Sequence, residues 1–358
     1  MILKLFGKTL PLLGVVLSAT SAAAPAPGSP SDAVLGAYDA YRAGDALKLA
    51  RYSKRLEGDL LEPWADYWSL AVRLDDASAA EVQAFFAEHG NTYVAELLRG
   101  DWLKVLGRRR EWKAFEREAA GFPRPDLEIQ CYQWSARIAR GDEGAKDEAA
   151  SVWLEPRELP EGCATLSETL MKLQPFSTTR IWQRVRVLFE NGQITAAKTT
   201  LGYLPRKEAP DERALAEAAR TPKRLIARLP ASLEQRPVRE VAVLAGIRLA
   251  RADPAAAARA LEGSFGERLP ERELKYLWGR VGIEAARIHL EPALKWYARA
   301  GDTRLDDDQL AWKVRAALRK GNWAVVRSSI DRMSSAARLD PAWTYWYGRG
   351  LAAQGDEA

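Results

Sequence analysis

Residues 310–322 read Leu-Ala-Trp-Lys-Val-Arg-Ala-Ala-Leu-Arg-Lys-Gly-Asn. Leu310, Ala311, Val314, Ala317 and Leu318 recur at the i, i+1, i+4, i+7, i+8 spacing that lines one face of an α-helix. Gly321-Asn322 then marks its end, and Trp323 opens another amphipathic stretch. The pattern of an aromatic-rich helix, small residues, Gly with Asp or Asn, and a further helix returns elsewhere. Gly355-Asp356 lies 34 positions beyond Gly321-Asn322, and Gly107 and Gly141 show the same interval. These signs predict an all-α chain, a superhelical stack of helical hairpins.

Other helix starts agree. Asp253-Pro254 and Asp340-Pro341 place a capping carboxylate before a proline whose missing N–H costs nothing in the first turn. Glu62-Pro63, Thr221-Pro222 and Glu291-Pro292 read as similar starts. Alanine runs such as Ala255-Ala256-Ala257-Ala258 let neighbouring helices approach closely, and no stretch alternates apolar and polar as a strand would. The 34-residue interval is that of tetratricopeptide-like repeats. It predicts a partner helix after Gly355, so the chain is expected to be truncated at its C-terminal end, leaving Trp343, Trp346 and Tyr347 half-covered or buried in a homodimer through Trp343 and Tyr347.

Residues 1–24 read as a secretory signal: Lys4 and Lys8 form the basic start, Leu10 to Ala19 the apolar centre, and Ala22-Ala23-Ala24 the cleavage site. An uncleaved anchor is the alternative, but Pro11 and Gly14 break a stretch already shorter than the ~20 apolar residues of a spanning helix. Residues 25–31 form a flexible leader and residues 32–358 the α-superhelical domain. With 53 basic and 48 acidic residues the formal charge is +5, and loss of Lys4 and Lys8 leaves +3. That balance does not argue for nucleic acid.

Cys131 and Cys163 are a pair of thiols in a chain expected to be exported, where pairs oxidise. The competing metal reading needs about four ligands, and the two histidines, His89 and His289, are remote from the cysteines in sequence. His89 reads as a helix-end residue, Arg108-Arg109-Arg110 as a solvated turn, and Asp306-Asp307-Asp308 as a helix start favoured by the helix dipole, not a metal cluster. The 13 tryptophans have two readings, platforms for sugar rings or filling between hairpins. No phosphate loop, nucleophile elbow or His-Glu-x-x-His is present, and no carboxylate pair stands out for glycan cleavage. No catalytic residue, cofactor or metal site is assigned.

Several segments together carry a resemblance: Trp64-Ala65-Asp66-Tyr67, Arg110-Glu111-Trp112, Cys131-Tyr132-Gln133-Trp134-Ser135-Ala136, Ser151-Val152-Trp153-Leu154, Gly162-Cys163 and Trp343-Thr344-Tyr345-Trp346. In order and spacing they resemble the N-terminal helical domain of the soluble lytic transglycosylases, periplasmic enzymes that cleave peptidoglycan, over about Asp32 to Ala358. The resemblance implies a U-shaped superhelix that closes into a ring with a linker domain and carries a lysozyme-like catalytic domain. In that family one glutamate acts as acid and then base, and the C6 hydroxyl of the sugar attacks to give a 1,6-anhydromuramic product. The family's Glu-Ser pair, Gly-Leu-Met-Gln and Ala-Tyr-Asn do not occur here, so no catalytic residue carries over.

The expected function is therefore a non-catalytic, periplasmic helical scaffold that weakly binds peptidoglycan glycan strands for a catalytic domain outside this sequence. Nucleic acid and stable membrane insertion after signal cleavage are not expected. The alternative is a stand-alone periplasmic scaffold of tetratricopeptide type that binds proteins. A helical glycoside hydrolase working from groove acids is a third reading.

Overall fold

The computed structural model describes residues 30–173, 176–301, 303–353 and 355. The signal segment and most of the leader lie outside them. Among the described residues there are helices and turns and no strand, and they form two compact units, one ending at Ile129 and the other beginning at Gln130.

The first unit holds α1 (Pro30–Arg42), α2 (Ala46–Ser53), α3 (Glu62–Ala71), α4 (Ala79–His89), α5 (Tyr93–Arg109) and α6 (Trp112–Ala119), with the boundary inside α7 (Leu127–Ala139). The second continues through α8 (Gly144–Ala149), a 3-10 turn (Ala150–Leu154), α9 (Glu161–Leu173), α10 (Thr178–Glu190), α11 (Ile194–Leu201), α12 (Glu212–Arg220), α13 (Pro222–Ala227) and α14 (Arg236–Ala252). It ends with α15 (Pro254–Glu262), α16 (Ser264–Glu267), α17 (Glu271–Arg287), α18 (Ala293–Arg299), α19 (Asp307–Arg319), α20 (Trp323–Asp331), α21 (Ser335–Arg338) and α22 (Pro341–Ala353). Within each unit a helix packs mainly on its sequence neighbours: α1 on α2 and α3, α17 on α14, α18 and α19, α20 on α19 and α22.

One joint recurs. At Gly44, Arg110, Gly141, Gly192, His289 and Gly321 the backbone enters the left-handed region, φ 57–86°. The next residue's N–H then donates to the carbonyl five positions back, at 2.8–3.0 Å, which satisfies the helix end and reverses the chain. After three of the glycines the same residue opens the following helix: Asp45, Asp142 and Asn322 accept from the backbone N–H of Lys48, Ala145 and Val325. This double duty is why Gly is followed by Asp or Asn. Gly107, by contrast, lies buried inside α5, and Arg110 makes that turn. The interval counted from Gly107 therefore did not measure turn to turn.

The expected starts form where capping chemistry allows. Asp253 accepts from Ala256 N–H at 2.8 Å and Asp340 from Ala342 N–H at 2.8 Å. Asp306 builds a reciprocal capping box with Gln309, so the acidic triplet is a helix start. Glu62 opens α3, Pro222 opens α13 without a side-chain cap on Thr221, and Pro292 precedes α18.

Leu310, Val314 and Ala317 are buried as their spacing predicts, and Ala311 and Leu318 half-buried. Close helix approach relies on glycine as well as alanine: a Cβ on Gly282 would come within 2.7 Å of the Tyr297 ring. None of the 13 tryptophans is exposed. Trp68, Trp102, Trp153, Trp182, Trp278 and Trp296 are buried, so filling between helices is their main work. Trp343 and Tyr347 are half-covered by their own chain, with the Arg315 and Arg327 guanidinium groups 5.1 and 5.8 Å from the ring centres. Cys131 of α7 and Cys163 of α9, both fully buried, are disulfide-bonded, with Cα atoms 5.0 Å apart. Among the described residues no helix is long and apolar enough to cross a membrane.

Candidate functional site

In the second unit, α10, the start of α17 and the irregular segment at Thr303-Arg304 before α19 wall a cleft of about 850 Å³. Its chemistry starts with α10, Thr-Thr-Arg-Ile-Trp-Gln-Arg-Val-Arg-Val-Leu-Phe-Glu. Ile181, Trp182, Val185, Leu188 and Phe189 bury one face, and the helix turn places Gln183, Arg186, Val187 and Glu190 along the cleft. From α17 come Glu271, Arg272, Lys275 and Tyr276.

The floor is a buried ion network. Arg186 Nε lies 2.7 Å from Glu240 of α14, and a second guanidinium nitrogen lies 3.6 Å from Glu273. Glu240 is 4% exposed and also faces Arg236 at 3.7 Å. Glu190 accepts the Tyr276 hydroxyl on one oxygen and faces Arg280 at 3.3 Å with the other. Arg280 continues to Glu284 at 3.4 Å, and Arg287 joins Glu284 at 3.0 Å to Asp308 at 2.6 Å. Desolvation governs this layer. Burial pushes the Glu190 carboxyl above the usual carboxylate range despite Arg280 and the Tyr276 hydroxyl. The Tyr276 phenol is pushed well above its own range, by burial first and by Glu190 next.

Each Glu190 oxygen is engaged by a residue of α17, so this carboxyl anchors α10 to α17. The mouth differs. Lys275 pairs with Glu271 at 2.8 Å, whereas Arg272 and Arg304 make no ion pair among the described residues. Four cationic side chains against two carboxylates line the cleft. Guanidinium forks with open donors suit carboxylates and hydroxyl-rich polymers.

The residues weighed from sequence fall elsewhere. Arg108, Arg109 and Arg110 are more than a solvated turn: Arg108 pairs with Asp75, and Arg109 donates to the carbonyls of Asp75 and Ala77. Asp307 accepts from the backbone and hydroxyl of Ser334 at 2.8 and 2.7 Å. His89 does end α4, but it is buried, with Nε2 3.1 Å from Asp66. The cleft residues went unnoticed because charges spread along a helix look like a solvated face. The available signal was that α10 carries Arg184, Arg186 and Glu190 among its apolar residues at spacings that cannot all face water.

No family model matches the chain. It is 23% identical over 309 residues to the soluble lytic murein transglycosylase of Escherichia coli, covering 83% of this chain and 46% of that protein. The Salmonella typhimurium enzyme of the same name gives 23% over 311 residues with the same coverage. Among solved structures, the lytic transglycosylase Slt of Pseudomonas aeruginosa, determined as an inactive mutant, aligns with a TM-score of 0.56 at 23% identity over 91% of this chain and 53% of that one. That likeness is one of fold. The chain spans about half the length of the relatives it matches. Over 83% of its own length, it is a homologue of the soluble lytic murein transglycosylases.

Proposed function

We propose that this chain is a non-catalytic, periplasmic scaffold that holds peptidoglycan glycan strands, with the second-unit cleft as the contact surface, for a lytic transglycosylase catalytic domain. The observation that carries the reading is the homology, 83% of this chain against 46% of the E. coli enzyme. The cleft supports it. Peptidoglycan presents sugar hydroxyls and peptide carboxylates, and Arg272, Arg304 and Gln183 offer donors to both. With every tryptophan at least half-buried, recognition rests on polar contacts in place of indole stacking.

Co-sedimentation of the purified chain with isolated sacculi tests this. Retention is expected, with no release of 1,6-anhydromuramic products. An Arg272→Ala/Arg304→Ala double variant is expected to lose three- to ten-fold in affinity, in line with two charge-assisted contacts of modest strength. Robust product release, or retention unchanged by the double variant, overturns the assignment. Stoichiometric capture of one specific protein without retention on sacculi would replace it with a protein-binding role.

A further inference from the structure

Asp66 of α3 meets Glu88 and His89 at the end of α4, within the first unit. One oxygen of each carboxylate and a His89 ring nitrogen lie within 4.8 Å of one another. The imidazole is fixed in place. It is 8% exposed, its ring centre lies 4.7 Å from that of Phe85 in an edge arrangement, and Nε2 is 3.1 Å from Asp66 Oδ2. Asp66 is partly covered and Glu88 exposed, and all three line a pocket of about 430 Å³. Arg73, on the wall of the same pocket, is engaged by Glu81 at 2.7 Å. Two carboxylates thus converge on a single imidazole.

We propose that Asp66, Glu88 and His89 bind a divalent transition-metal ion, zinc in first place, with solvent completing its coordination. Bond lengths of about 2.0–2.2 Å place tetrahedral ligand atoms roughly 3.4 Å apart. The pre-formed edge from His89 to Asp66 is already 3.1 Å. Glu88, being exposed, closes the rest by side-chain rotation without moving either helix. A nitrogen with two oxygens favours zinc, cobalt or manganese over magnesium and calcium, which take all-oxygen shells. The bound ion would tie α3 to α4, replacing mutual repulsion of the carboxylates with a shared cation. The alternative for the same atoms is a bare His89–Asp66 hydrogen bond that needs no metal.

The test is titration of the chelator-treated full chain with zinc chloride by calorimetry, together with its thermal midpoint with and without zinc. One equivalent of zinc is expected to bind, with a raised midpoint, no competition from millimolar magnesium, and a loss of at least ten-fold in affinity in Glu88→Gln. That variant changes an exposed side chain and leaves the His89–Asp66 bond in place, so the fold is retained. His89→Ala is expected to abolish the site. Absence of a binding isotherm at 100 µM zinc, or equal affinity in wild type and Glu88→Gln, overturns the proposal and leaves the hydrogen bond.

Discussion

The two units differ in how much charge they bury. In the second, Arg186, Glu240, Arg280 and Glu190 are withdrawn from water and each finds an opposite partner within 2.7–3.3 Å. In the first, the guanidinium pairs Arg73 to Glu81 and Arg108 to Asp75 lie at the surface, and the buried polar contacts are single hydrogen bonds, His89 to Asp66 and Gln83 to Glu118. A buried charge is costly to strand, whereas an exposed one is screened and re-solvated. Interior edits in the second unit should therefore cost far more stability than surface edits in the first.

The largest effect belongs to Glu240→Ala, which leaves Arg186 buried beside an empty space. A loss of about 3–5 kcal/mol is expected in urea melts; a loss below about 1 kcal/mol would erase the contrast. Next comes Cys131→Ser with Cys163→Ser. Opening a loop of this length releases unfolded-state entropy equivalent to about 3–4 kcal/mol, and comparison of oxidised and reduced wild type gives an independent measure of it.

Acid titration examines the first unit. Backbone N–H donation from Ser78, reinforced by Arg73, holds the Glu81 carboxyl down at about 2 against an ordinary 4.5. A depressed carboxyl contributes stability above its unfolded value and loses it as pH falls through the folded one. Wild type should thus lose thermal midpoint more steeply than Glu81→Gln between pH 4.5 and 2, and parallel curves would show that the cap contributes nothing. The smallest effect is Arg110→Gly. Arg110 holds φ 57° where the equivalent joints use glycine at Gly44, Gly141, Gly192 and Gly321, and relief of that strain should raise stability by about 0.5–1 kcal/mol.

The architecture was legible because it is written locally. The Leu310–Leu318 face, the Asp-Pro starts and the Gly-Asn joint each need only neighbours in sequence, and each formed. Gly107 misled because a glycine inside a helix and a glycine at a turn are the same letter, and a left-handed arginine was the real joint. The cleft was not legible, since Arg186, Glu240 and Tyr276 come from three helices far apart in the chain. Nor was the meeting of Asp66 with His89, which depends on how α3 lies against α4. Periodicity tells which face a residue occupies, not what stands opposite.

The shielding of every tryptophan also gives this protein its own optical label. Indoles spread from Trp64 to Trp346, six buried and seven half-buried, should emit to the blue of free indole, with the buried six resisting collisional quenching by iodide while the chain is folded. Loosening of any helical pair should shift the emission to longer wavelengths, so native fluorescence can follow unfolding along the chain without an added dye.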